Sequence, residues 1–386
     1  MSLLGNLKSF IRQIDISATI AALCFFLCML PYFVWENKFA VYAQVVFVLI
    51  AILNCHSKER KSGALIALAC LYIYIIFRNN YSVYGNITIL LFIPVLFIDD
   101  GYGKKVYSHF VGLYSFVILI SLVVYVLITY FNINLSYNII EPLNEIKENT
   151  SYYQYPLLVK AITGATDNFR FFGPFDEPGV VGNISAMILV CERFNLKKCY
   201  NWVVLISGIF SFSIFFYIVT IVYFIIYGSG NIKYTLMALL ITICILPFFM
   251  KNEFFQLYII DRYTSGQIDN RLHGNFEEWF SRFRYTTDYF WGLGGSSHLR
   301  INSGGASYKD IITDYGLVFF IFYVYGLFKA GLDKLYDKKM AILYLILVMS
   351  IIYQRPFITV FGYFLLLFMP QFGLLKTKEE LENGNN

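Results

Sequence analysis

Hydrophobic positions in this chain fall in long continuous runs, and polar residues collect in the gaps between them. That pattern differs from the one-sided apolar stripe of a helix covering a soluble core. A helix needs about 17 to 25 apolar residues to cross the hydrocarbon of a bilayer. Runs of this kind stand near positions 14–35, 39–54, 62–77, 81–98, 106–131, 178–194, 232–250, 307–328, 340–353 and 356–375. The first is too long for a cleavable signal peptide and lacks a small-residue cleavage site, so it reads as a membrane helix.

The continuous run from Tyr200 to Tyr227 is long for one span and short for two. The placement of lysine and arginine decides between them, because short cytoplasmic loops carry the excess of these residues. If the run is a hairpin that breaks near Gly208 to Ser213, one side of the membrane holds Lys8, Arg12, Lys58, Arg60, Lys61, Lys104, Lys105, Arg193, Lys197, Lys198, Lys233 and the six later lysines from Lys329 to Lys378. The short loops of the other side then hold only Lys38, Arg78 and Arg355. A single span would scatter the later lysines outside. The fold expected is therefore an all-α integral membrane protein of about twelve transmembrane helices with both termini cytoplasmic. It forms one polytopic domain, residues 1–386, with long extracytoplasmic loops at 132–177 and 251–309 and a solvated cytoplasmic tail at 376–386.

Composition agrees with this reading. The 386 residues are 58% hydrophobic, 19% aromatic and only 14% charged, with mean hydropathy +0.61 and formal net charge +5. Soluble domains average about 25% charged residues, so a water-soluble globule, a disordered chain and a nucleic-acid binder are all excluded. The seven cysteines, an odd number without a CxxC pair, fall in apolar runs or beside cytoplasmic loops. They read as apolar fillers rather than as disulfides or a zinc site. No metal, haem or nucleotide is expected. Asp99-Asp100, beside Lys104 and Lys105, reads as a turn, and Gly292-Leu-Gly-Gly295 follows no strand and is no dinucleotide fingerprint.

The cations differ in kind between the two sides. Arg78, Arg170, Arg262, Arg271, Arg282, Arg284, Arg300 and Arg355 are external on this reading, whereas the cytoplasmic cations are mostly lysines. Orientation needs only charge, but arginine offers a rigid fork that grips phosphate bidentately and stays charged when partly desolvated. The second long loop nevertheless carries seven cations against six acids, a net of +1, so salt bridging within it competes with ligand binding. Arg282, four residues after Glu278, fits an intrahelical pair. Phe276, Trp279, Phe280 and Phe283 are spaced for a short amphipathic helix at the membrane interface. The outer aromatics Tyr152, Tyr153, Tyr155, Phe171 and Phe172 suit interfacial anchoring or stacking on sugar rings.

The run Arg170-Phe-Phe-Gly-Pro-Phe-Asp-Glu-Pro-Gly-Val-Val-Gly182 closes the first long loop and opens a helix. Pro178 suits the first helical turn, and Asp176 and Glu177 lie at the positive end of the helix dipole. Capping accounts for these residues but not for Arg170 beside two adjacent carboxylates. An arginine and a carboxylate at the membrane surface can divide labour between a leaving pyrophosphate and an attacking hydroxyl. Arg170 with Arg271 or Arg284 is the candidate pyrophosphate clamp. Glu177 or Asp176 is the candidate catalytic base, with His273 and His298 behind them.

Together with Trp291-Gly-Leu-Gly-Gly295 after Arg284, Ser303-Gly-Gly-Ala-Ser-Tyr308, Asp314-Tyr-Gly316 and Gln354-Arg-Pro356, this run resembles the Wzy-type O-antigen polymerase family, which is related to the O-antigen ligases. The resemblance covers the chain from about Arg170 onward. It implies a GT-C-like membrane glycosyltransferase, without cofactor or metal, in the bacterial inner membrane with its site facing the periplasm. The implied reaction moves a growing glycan from undecaprenyl pyrophosphate to the non-reducing end of another lipid-linked repeat unit. Partners would be the lipid-linked donor and acceptor, the bilayer and, in some systems, a chain-length regulator, with no nucleic acid. His273, His298 and Tyr308 would contact substrate. The ligase branch carries a histidine near the start of the helix after its second loop. Gly305 stands at that spacing here, which favours the polymerase, with ligase the near alternative. A flippase for the same lipid-linked units is the alternative of another class, disfavoured because almost no charge falls inside the predicted spans and no internal repeat is evident.

Overall fold

A computed structural model describes residues 15–35, 37–55, 63–78, 83–141, 151–162, 170–228, 274–301, 308–335 and 337–375. The expected span at 232–250, the tail at 376–386, and Arg262, Arg271 and His273 lie outside the described residues. The protein is mostly helical. Its elements are α1 (Ile16–Cys28), α2 (Phe39–Leu53), α3 (Gly63–Arg78), α4 (Val83–Leu90), α5 (Phe92–Leu96), α6 (Asp100–Thr129), strands β1 (Asn138–Ile140), β2 (Tyr152–Tyr155) and β3 (Leu158–Ala161), then α7 (Pro178–Cys191), α8 (Cys199–Phe210), α9 (Ile214–Gly228), α10 (Gly274–Phe283), α11 (Asp288–Trp291), α12 (Ser297–Arg300), α13 (Tyr308–Leu332), α14 (Lys338–Gln354), α15 (Phe361–Phe368) and α16 (Pro370–Gly373). By length and composition α6 and α13 can each cross a membrane, and eight shorter stretches form apolar helices.

The long apolar run does break where the cations require it. After α8 the chain turns through Ser211, Phe212 and Ser213, with Phe212 at φ 48°. Asn201 and Trp202, opening α8, donate to the carbonyls of Asn195 and Leu196 just beyond α7, at 2.9 and 3.0 Å. Tyr223 and Phe224, near the end of α9, pack their rings at a tilt against Phe194 at that same end of α7. The turn itself lies at the opposite end, where the Phe171 N–H donates to the Phe210 carbonyl at 2.8 Å. The run is thus a hairpin laid along α7.

α7 is buried on every side, as a helix apolar all round must be. It is the axis of the bundle, and the bundle has two chemically different ends. At one end Lys105 pairs with Asp15 at 3.0 Å, Lys104 reaches the Leu375 carbonyl at 3.0 Å, Lys329 pairs with Asp333 at 2.7 Å, and Lys198 pairs with Glu192. Asp99 caps α6 there by accepting from the Tyr102 N–H at 3.1 Å, so the acidic pair is a helix entry, as its turn reading implies. Of the described arginines only Arg193 sits at this end. Arg78, Arg170 and Arg355 lie at the other, together with the short helices that carry Arg282 and Arg300 and with Arg284 just after α10.

The all-α expectation needs one correction. The first long loop folds as a three-stranded antiparallel sheet in the order β1-β2-β3, with Ile139 opposite Tyr153 and Tyr153 opposite Lys160. Tyr152, Val159, Ala161 and Phe172 form its core, with Trp35 edge-on to Tyr152 at 5.6 Å. Tyr152, Phe171 and Phe172 are therefore buried packing groups rather than sugar platforms. Helix α10 also differs from expectation. It forms where its spacing predicts, and Glu278 does pair with Arg282, but its aromatic face turns inward. Phe276, Phe280 and Phe283 pack on Ile312 of α13.

Candidate active site

The entry to α7 is where sequence chemistry and geometry meet. Pro178 occupies the first helical turn and Glu177 the N-cap position, but the Glu177 side chain makes no cap hydrogen bond. Its carboxylate is ion-paired with the Arg355 guanidinium, which follows the last residue of α14. Arg355 is only 6% exposed. Burial alone would lower its pKa, and the facing carboxylate of Glu177 outweighs that effect and raises it, so the charge is locked in. Glu177 thus pairs with a residue distant in sequence at the end of the neighbouring helix α14 instead of closing its own helix.

Asp176 is fixed through its backbone, where its carbonyl accepts from the Tyr152 hydroxyl at 3.0 Å. The sheet of the first loop therefore holds the carboxylate pair in place. Arg170 lies at the α8–α9 turn and donates from Nε to the Ser211 carbonyl at 3.3 Å. Tyr308 begins α13 and stacks on Tyr353 at 6.3 Å, two positions before Arg355, which ties the start of α13 to the same site.

A second constellation forms where α13 is broken. Gly316 adopts φ 91°, a left-handed conformation that interrupts the helix. Gly292, at φ 79°, crosses it so closely that a Cβ on Gly292 would strike the Asp314 carbonyl, and one on Gly316 would strike the Phe290 carbonyl. Leu293 and Gly294 donate to the carbonyls of Thr313 and Asp314 at 2.8 and 2.9 Å. Arg78 braces the loop from α3 by donating to the Trp291 carbonyl at 3.1 Å and to the Gly292 carbonyl. The glycine run at 291–295 and the Asp314-Tyr-Gly316 segment, separate motifs in the sequence, are one crossing in space.

That crossing aims Asp314 at α12. Its carboxylate accepts from the backbone N–H groups of Ser296 and His298 at 3.0 and 2.9 Å, and from His298 Nδ1 at 2.7 Å. Because an ionised carboxylate only accepts, Nδ1 carries the ring proton. Burial by itself would lower the His298 pKa. The Asp314 hydrogen bond and the charges of Asp314 and Asp310 outweigh it, and the net shift is upward from 6.5.

Comparison with protein-family models, with curated proteins and with solved structures finds no match.

Geometry therefore joins Glu177 to Arg355 and His298 to Asp314. Arg284 ends up exposed after α10, its guanidinium 5.7 Å over the Tyr285 ring. Among the described residues no three His, Cys, Asp or Glu side chains gather to hold a metal ion. In the sequence Arg355 stands only as an outer cation within Gln354-Arg-Pro356. The signal available was its position at the end of an apolar run with no acid nearby in sequence, since such a charge needs a partner from elsewhere in the fold.

Proposed function

We propose that this chain polymerises oligosaccharide repeat units carried on a polyprenyl diphosphate, at the arginine-bearing end of a bundle of about twelve spans. In this reading it is a multi-pass protein of the bacterial inner membrane, and that end faces the periplasm. The acceptor hydroxyl oxygen attacks the anomeric carbon of the donor glycan. The bond from that carbon to the diphosphate oxygen breaks, and its electron pair leaves with the lipid diphosphate. Arginines steady that developing charge: Arg170, with Arg271 or Arg284 from the second loop. The hydroxyl proton passes to Glu177, with Asp176 beside it. Tyr308 and His273 contact the sugars, and His298, held toward its charged form by Asp314, donates hydrogen bonds rather than taking the proton.

The observation that carries this reading is the Glu177–Arg355 pair, a carboxylate and a guanidinium held together at a helix entry where neither side chain caps the helix. Removing the gene and resolving surface glycan on a gel tests it. A ladder that collapses to a single repeat unit is expected; an unchanged ladder contradicts the proposal.

One observation favours the O-antigen ligase as a second reading. His298, hydrogen-bonded to Asp314 ahead of α13, stands close to where that branch carries its histidine. Polymer that accumulates on its carrier without attachment, in the same deletion strain, would select the ligase.

A further inference from the structure

The N-terminus of α7 has an unusual surplus of hydrogen-bonding capacity. Arg355 Nη2 is bound to Glu177, but Arg355 Nε is buried and has no hydrogen-bond partner among the described residues. Gly179, in the first turn of α7, leaves room beside this cation: a Cβ there would sit 3.6 Å from Arg355 Nη2 and 3.7 Å from Gln354 Oε1. Asn183 is one turn further along the same face of the helix. It is fully buried, and both its amide nitrogen and its carbonyl oxygen lack partners among the described residues.

A helix N-terminus without a side-chain cap favours negative charge. Around Gly179 that terminus is joined by a buried guanidinium with a spare donor and by an unpartnered amide. Buried polar groups are normally satisfied, so these mark a place prepared for a group not yet there. The anion in residence is the carboxylate of Glu177, which holds Nη2 of the guanidinium and leaves Nε without a partner among the described residues.

We infer that the Glu177–Arg355 pair is an exchangeable latch. The diphosphate of the lipid-linked donor takes over the Arg355 guanidinium, using both its edges, and displaces the Glu177 carboxylate, which is then available to the acceptor hydroxyl. Only hydrogen bonds and ion pairs are exchanged in this step. The inference rests on the proposed diphosphate chemistry and adds an order to it: the base is occupied until the donor arrives, so donor binds before acceptor. It also makes Glu177 a competitor of the donor for the same cation.

Competition gives the test a distinctive sign. Binding of farnesyl diphosphate to the purified full-length chain in lipid nanodiscs, followed by calorimetry, is expected to be about tenfold tighter in Glu177→Gln than in the parent. Arg355→Lys, which keeps charge but not the fork, is expected to bind about tenfold more weakly. Thermal melting with and without farnesyl diphosphate provides a second readout should either variant be less stable, because the ligand must then raise the melting point of Glu177→Gln more than that of the parent. Equal or weaker binding by Glu177→Gln, with clear binding by the parent, overturns the latch alone. Absence of binding by both the parent and Glu177→Gln overturns the diphosphate chemistry and the latch with it.

Discussion

The His298 imidazole and the Asp314 carboxylate meet at 2.7 Å across a helix that glycine has broken, and the same carboxylate closes the first turn of the short helix carrying His298. Because the His298 pKa is raised in the folded protein, the charged pair contributes its stability in full below pH 6.5, the ordinary value for the ring. That contribution is lost as pH rises through the higher folded-state value. A hydrogen bond to a charged group is worth about 1.5–3 kcal/mol. Melting temperature should therefore fall between mildly acidic and alkaline pH in the parent and change less in His298→Gln. Parallel pH profiles would show that the pair is neutral.

The crossing of Gly292 over Gly316 leaves no space for a side chain on either residue. Gly316→Ala must both adopt a left-handed backbone and displace the Phe290 carbonyl, and is expected to cost about 3 kcal/mol. Gly292→Ala should cost a similar amount, and the double variant less than the sum because both act at one contact. Chemical denaturation of the three variants measures this.

Stability and chemistry separate at Glu177 and Arg355. Removing the guanidinium leaves the part-buried Glu177 carboxylate without it, so Arg355→Met is expected to destabilise by about 2 kcal/mol. Adding Glu177→Leu removes the stranded carboxylate and should restore most of that loss. The double variant should fold and yet give no polymer on a glycan gel. A double variant that makes full-length polymer would remove both residues from the chemistry.

Arg170 differs from lysine in geometry more than in charge. Its Nε contact with the Ser211 carbonyl fixes the side chain at the α8–α9 turn, where lysine has no equivalent donor. Arg170→Lys should lose most polymer, as Arg170→Ala does, while the protein level in the membrane is unchanged. Full polymer length in the lysine variant would exclude the clamp.

The parts of the fold legible in the sequence are those governed by one-dimensional rules. The hairpin over Tyr200 to Tyr227 followed from the sidedness of lysine, and the turn through Ser211 to Ser213 falls within the expected break. Pro178 at its helix entry and the Glu278–Arg282 pair followed from local rules at short spacing. The sheet did not, because strands of three or four residues are too short for alternation to stand out among tyrosines that also suit an interface. The inward face of α10 was hidden for a related reason. An aromatic stripe does not say whether lipid or protein will cover it, and here Ile312 does. In the site, residue types were legible and pairings were not. Glu177 finds its partner 178 positions away, and Asp314 reaches His298 beside the Gly316 break in α13.

In the proposed function the arginine-bearing end of the bundle builds glycosidic bonds by expelling a lipid diphosphate. The most direct measurement supplies the purified chain, reconstituted in vesicles, with one defined undecaprenyl-diphosphate-linked repeat unit and follows products by mass spectrometry. A series of products that lengthen by whole repeats is expected, with one undecaprenyl diphosphate released for each bond formed, and loss of that series in Glu177→Gln. Substrate that crosses the vesicle bilayer without elongation would contradict it.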